Sequence, residues 1–355
     1  FCPLWRTFDH FAVQLSFPTL RTREAGSDGL SVSARLGANC MADDDKIAKL
    51  FGSKRFDVEH ALNLYASSFV TIPAFSIYDD AILKQHENII KRCHIYIIGL
   101  TPTIDFEAAD QVGNELRLKF SLGGEAYVVG GPLPEGSTLT QQDDGSWIVI
   151  SRDGKMTWPN MDEVIRSLGQ ISGNMRFKVL YIGQAYGEDG SRNAIDRLKK
   201  HETLQKIAVK GVPHGYNLTL LLIEIEPATR LITMFNPWAK EQSDDGSRIS
   251  AGLDKLFGTD EEERTSLYEA SFIRYFRPEY NIVFKNSFPS TNMKTLAKCY
   301  EKDIATLVME IGFDELPYEL FSDHIAATHH HIARHDLHKD EDRRVFFSGP
   351  PPENS

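Results

Sequence analysis

Three short pieces of this chain carry residue types that could act together on a phosphate ester. They are Tyr181-Ile182-Gly183 at the end of an apolar run, Arg197 with His201 one helical turn on, and Glu269 followed by Pro278-x-Tyr280-Asn281. If the stretch around Arg197 is helical, Arg197 and His201 share a face and could meet the same phosphate. Arginine suits that task because its planar fork donates paired hydrogen bonds to phosphate oxygens. A tyrosine, with a reference pKa of roughly 10, activates water only where nearby positive charge makes its phenolate accessible. Glycine after a strand end lets the backbone pass close to a site. Phosphodiester hydrolysis needs a nucleophilic water, a stabiliser for charge growing on the phosphate oxygens, and help for the departing alkoxide.

The surrounding pattern supplies elements to hold these residues. Phe177 to Ile182 reads as a strand, and Ser191 to Ala208 as one helix whose buried stripe is Ala194, Ile195, Leu198 and Ile207. Tyr216 to Ile225 is apolar enough to be a central strand. Ala228 to Gly258, punctuated by Gly, Ser and Asp, reads as an inserted excursion. Thr259 and Glu262 have the form of a capping box opening a helix that runs to Phe276. Beyond Ser287 two further helical patterns, Met293 to Ile311 and Leu320 to Ile332, predict a C-terminal helical appendage over 291–335, followed by a flexible charged and Pro-rich tail over 336–355.

Upstream, Ile47, Leu50 and Phe51, then Val58, Ala61, Leu62 and Tyr65, and later Ile82, Ile89 and Ile90, recur at helical spacing. Strand-like runs follow at His94 to Leu100, Glu115 to Leu122, Glu125 to Val129 and Ser146 to Ile150. These predict a separate α+β module over 41–145. Residues 1–40 show no sustained period and read as an extraneous leader, an Arg- and Ser-containing transit segment being the alternative. No internal repeat is visible.

The run Glu269-Ala-Ser-Phe-Ile-Arg-Tyr-Phe-Arg-Pro-Glu-Tyr-Asn281, with Tyr181-Ile182-Gly183 and Arg197 before it, resembles the GIY-YIG nuclease family. Within that run it looks most like the incision domain of the UvrC excision-repair nucleases. The resemblance implies an α+β fold over 146–290, a small mixed or antiparallel sheet flanked by helices. It implies that Tyr181 is the second signature tyrosine, that Arg197 and His201 face the phosphate, that Glu269 holds one Mg2+ or Mn2+, and that Asn281 closes the domain. DNA contacts are expected from Gly183, Gln184, Arg192, Lys199 and Lys200. The family's first signature, Gly-Ile-Tyr, should fall near Ile171 and is not there as written. Either Ser146 to Ile150 supplies the first strand, with Met161 to Leu168 inserted as a helix, or His94-Ile95-Tyr96 approaches from the preceding module. Gln184 stands where many members have lysine, and the loop from Ala185 to Gly190 is long. The implied function is a metal-dependent DNA endonuclease, assigned by elimination to restriction or anti-phage defence. A catalytically silent binding subunit and an RNA-cleaving toxin are the rivals.

Bulk composition sets limits on all of these. The net charge of -11 disfavours tight nonspecific DNA binding, although Arg192, Arg197, Lys199, Lys200 and His201 form a local basic patch. Targeting is therefore expected from the 41–145 module, from the C-terminal helices, or from a protein partner or second copy. Asp43 to Asp45, Asp260 to Glu263 and the tail carry the acid. Runs such as Leu218 to Ile225 and Ile95 to Leu100 are far short of the ~20 residues a membrane helix needs. Cys2, Cys40, Cys93 and Cys299 form no C-x-x-C pair, which points to a reducing, cytoplasmic setting. His324, His329, His330, His331, His335 and His338 invite a zinc reading, since His331 and His335 have i, i+4 spacing, against the plainer one of an exposed polar helix end. The glycines at 123–124 and 130–131 read as turns.

Overall fold

The computed structural model of the protein describes residues 48–186, 194–243, 245–289 and 293–343. The expected leader, Arg192 and the last part of the expected tail lie outside the described residues.

A mixed sheet organises the fold. Its first strands are β1 (Val58–Pro73) and β2 (Ile95–Pro102), with short helices α1 (Asp80–Gln85) and α2 (Glu87–Ile90) between them. At residue 103 the chain leaves this sheet and builds two small antiparallel ones. The first holds β3 (Ile104–Val112), β4 (Glu115–Leu122) and β5 (Glu125–Pro132); the second holds β6 (Thr138–Gln141), β7 (Trp147–Ile150) and β8 (Met156–Thr157). Helix α3 (Met161–Ser172) follows, and the chain re-enters the main sheet as β9 (Arg176–Gln184), antiparallel to β2. Next come α4 (Ala194–Leu198), α5 (Glu202–Lys210), β10 (Tyr216–Ile225), β11 (Arg230–Phe235), α6 (Ser247–Gly258) and α7 (Glu261–Phe276). The chain then runs through α8 (Lys294–Glu301), β12 (Thr306–Gly312), β13 (Glu319–Phe321) and β14 (His330–Asp336). The strand order is β13-β9-β2-β10-β1-β12-β14, with β11 also paired to β1.

Side-chain alternation along the strands feeds two cores. Ile95, Ile97, Leu221 and Ile223 point to one face, against α7 and α8 through Leu267, Phe272, Phe276 and Leu296. Tyr96, Ile98, Leu220 and Leu222 point to the other, against α4 and α5 through Ala194, Ile195, Leu198 and Ile207. The buried stripe expected for the 191–208 helix is thus in place. Residues 104–168 bury a core of their own around Leu116, Leu118, Phe120 and Leu168.

That separate core corrects the domain boundaries. From Leu50 onward the described residues form one compact unit, and strands from both sides of residue 145 pair in one sheet. What stands apart is the excursion over 103–175, an insertion between two neighbouring strands, not a 41–145 module.

Several elements also differ. Val58 to Tyr65 is strand, not helix: β1 lies inside the sheet and successive residues from Val58 to Leu64 are all buried, so both faces are covered and the period of two is erased. Its polar residues are held by partners, His60 by Thr233 and the Arg248 carbonyl, Asn63 by Glu310. The helix expected over 191–208 is broken after Leu198 and restarts at Glu202. The cap of α7 is Asp260, whose carboxylate accepts from the Glu263 N–H at 2.8 Å, while Thr259 Oγ1 donates to the Lys255 carbonyl. Glu263 is no surface acid but a buried partner of Lys255.

The helical appendage is a misreading of strands. Only Lys294–Glu301 is helical, and β12, β13 and β14 extend the main sheet. His331 and His335 lie on β14, where residues four apart also share a face, so the spacing fits strand as well as helix. His331 Nε2 meets the Leu320 and Thr328 carbonyls and His335 Nε2 the Ser271 carbonyl, and burial pushes both imidazoles down to about 4. They are neutral core histidines. The expected tail is packed as far as Arg343, which bonds Asp303 and Glu59.

Candidate active site

The expected site residues come from separate stretches of chain and meet at one corner of the sheet. Register brings the first two together: β2 and β9 pair so that Tyr96 opposes Gly183 and Ile98 opposes Tyr181. The rings of Tyr96 and Tyr181 stack with centroids 6.2 Å apart. Of the two alternatives left open for the first signature, His94-Ile95-Tyr96 is the one beside Tyr181. Ser146 to Ile150 belongs to the insertion, most of it to β7 in the second small sheet. The signal lay in the apolar run at 95–98, but the 103–175 insertion hid the hairpin.

Gly183 explains how Tyr96 fits. A Cβ there would lie 2.5 Å from the Tyr96 hydroxyl and 2.8 Å from the Tyr181 ring. The residue is buried, so it makes room for the phenol; it offers no surface to DNA, contrary to expectation.

Arg197 and His201 reach the same corner by different routes, not on one helical face. Arg197 lies in the last turn of α4 and is exposed. Its guanidinium pulls down the pKa of the buried Tyr96 phenol, which desolvation nevertheless leaves well above the usual phenol range. His201 is the cap of α5: its Nδ1 accepts from the Leu204 N–H at 3.3 Å. Its ring lies 5.0 Å from that of Tyr181 and 5.6 Å from that of Tyr96. Desolvation first, then Arg197, lowers its pKa. A neutral imidazole accepting through Nδ1 carries its proton on Nε2, so His201 is a donor here and not a base. Backbone bonds brace this segment: Ala185 N–H donates to the His94 carbonyl at 2.8 Å and Ala194 N–H to the Cys93 carbonyl at 3.2 Å. Both bonds fall on the two residues just before β2.

Glu269 approaches from α7 on the other face. Desolvation raises its carboxyl to about 7, against the pull of the Gln184 backbone N–H and Arg197. Burial also raises the Tyr181 pKa, and the Glu269 charge adds to it. Gln184 is engaged through its side chain too, accepting from Ser266 Oγ at 3.5 Å. Lys199 and Lys200 sit in the turn between α4 and α5, the second fully exposed.

Asn281 does not touch this cluster as a reacting group. It completes the sheet corner as a strand would, with Oδ1 accepting from Ile182 N–H at 2.9 Å and Nδ2 donating to the Ile182 carbonyl at 2.8 Å. Local sequence brings it there. Arg277 takes the left-handed conformation that ends α7, Pro278 bars further helix, and Tyr280 N–H bonds the Leu180 carbonyl at 3.1 Å.

No family model matches this chain, and neither any curated protein nor any solved structure does. No group of three or more His, Cys, Asp or Glu side chains placed to hold a metal occurs among the described residues. Among these residues, no helix is long and apolar enough to cross a membrane.

Proposed function

We propose that the protein is a divalent-metal-dependent nuclease of the GIY-YIG type, acting on DNA. The observation that carries this reading is the convergence of Tyr96, Tyr181, Arg197, His201 and Glu269 at one sheet corner. Four different chain segments supply them.

The residues fit a cation at Glu269. The carboxyl is largely desolvated and its pKa is raised, the signature of a charge with too little compensation. One carboxylate suffices for a hard ion that keeps waters and takes the rest of its ligands from phosphate. Such an ion, when bound, neutralises phosphate charge and eases departure of the leaving oxygen. The chain's own groups do the remainder. Arg197 offers its fork to the phosphate oxygens, and His201 donates from Nε2. Tyr96 and Tyr181 are both held protonated by burial. They orient a water by hydrogen bonds, and neither serves as base until added positive charge lowers its pKa. The presence of Tyr96 beside Tyr181 weighs against a catalytically silent subunit.

Incubation with supercoiled plasmid and Mg2+ or Mn2+, with and without chelator, tests the reading, with a folded RNA as a parallel arm. Chelator-sensitive nicking of plasmid is the expected result. No cleavage of either nucleic acid at any metal concentration would overturn it, and cleavage confined to RNA would replace DNA as the substrate.

A further inference from the structure

We infer that the insertion over 103–175 is a peptide-binding module whose ligand is an extended, basic and apolar protein segment laid along β5. This goes beyond the nuclease reading and stands whether or not the chain cuts phosphodiesters.

The first observation is a groove of about 360 Å³ inside the module. Leu116, Leu118, Val129, Trp158 and Val164 line it together with polar Thr157 and Asn160. A space of that size lies within the range of built binding sites, roughly 300–1,000 Å³.

The second observation is which part of β5 borders the space. Val129, Gly130, Gly131 and Pro132 all line it, the two glycines through their backbone because they have no side chain. β5 is an edge strand, paired to β4 alone in its sheet. Its two glycines carry no side chain to cover the backbone, and Gly130 is exposed. An edge strand beside such a groove is the arrangement into which an extended segment adds as a further strand, main-chain bonds giving affinity and alternate side chains entering the groove.

The third observation is charge. Residues 103–175 hold 11 Asp and Glu against 5 Lys and Arg, more than half of the whole chain's net -11 in about a fifth of its length. Glu163, exposed on α3, lines the groove itself. This field repels nucleic acid and selects a segment in which apolar residues alternate with Lys or Arg. The module's ends continue into β2 and β9 at the end of that strand pair away from Tyr96 and Gly183.

Gly131 supplies a clean test, because a Cβ there meets nothing within 4 Å and its φ is ordinary, so a large side chain enters the groove without backbone strain. The full chain is panned against a phage-displayed random heptapeptide library, and enriched sequences are synthesised with a fluorescent label and titrated. The expected result is enrichment of heptapeptides alternating apolar with Lys or Arg. They should bind wild type and lose at least tenfold in affinity to Gly131→Phe at an unchanged thermal midpoint. Glu163→Lys, on an exposed helix position, should weaken the same peptides. Absence of enrichment overturns the proposal. So do acidic peptides, or equal affinity for wild type and both variants.

Discussion

Glu269 is a residue whose environment sets stability and activity against each other. Its carboxyl has a pKa of about 7 in the folded chain against an ordinary 4.5. Between those values the folded protein keeps a proton that the unfolded chain has lost, so stability falls as pH rises through that window. Well above 7 the full cost is present, on the order of 3 kcal/mol. Glu269→Gln removes it. In chelator at pH 8 the variant should be more stable than wild type in urea titration, and the gain should vanish by pH 4. The same substitution should abolish metal-dependent nicking at every pH. A variant no more stable than wild type at pH 8 would mean the carboxyl is not strained. Gly183 gives a complementary case, because it contributes space and no chemistry. Gly183→Ala drives a methyl into the Tyr96 and Tyr181 rings. We expect nicking to fall by on the order of a hundredfold through misplacement alone, with the far-ultraviolet circular dichroism unchanged; wild-type nicking would show that the tyrosine pair need not be held this closely.

Among the elements, the Pro278–Asn281 exit from α7 acts as a short surrogate strand. Asn281→Ala orphans a buried N–H and a buried carbonyl of Ile182 together, at a cost of about 2–4 kcal/mol. Chemical denaturation should register that loss, and a change under 1 kcal/mol would place the support of β9 elsewhere. The chain made this element legible because Pro, Tyr and Asn in that order interrupt an otherwise continuous helical pattern. Other elements were hidden for identifiable reasons. β1 is buried on both faces and carries Glu59, His60 and Asn63 inside the fold, so neither alternation nor uniform apolarity marked it. β13 is three residues long, and β14, the next strand in sequence, puts His331 into the core, which reads as polar in sequence. The site followed the same rule. Tyr181, Arg197, His201 and Glu269 were expected from local motifs, whereas Tyr96 stood only as one of two alternatives, because choosing it required a long-range pairing that local spacing cannot reveal. The break between α4 and α5 was missed because the apolar stripe runs through both helices, and only the capping geometry of His201 separates them.

At the scale of the molecule, the insertion and the main sheet should be separable. Replacing residues 104–174 by an Asn-Gly turn leaves the β2 and β9 registers joined as a simple hairpin. That protein should keep its thermal midpoint within a few degrees and retain metal-dependent nicking, while losing affinity for any segment the groove binds. Loss of folding would show that the small module supports the sheet. The arrangement also sets an order of events in time. β3, β4 and β5 pair with their immediate neighbours in sequence, so the module closes short loops and can form early. The main sheet cannot. Its inner strands come from residues 58 to 312, and β1 pairs in parallel with β12 only after almost the whole chain is available. During synthesis the two tyrosines are therefore brought together late, and the asparagine that secures their strand later still. A ribosome that stalls before residue 281 leaves a chain whose insertion can already fold but whose candidate site lacks the asparagine that secures β9.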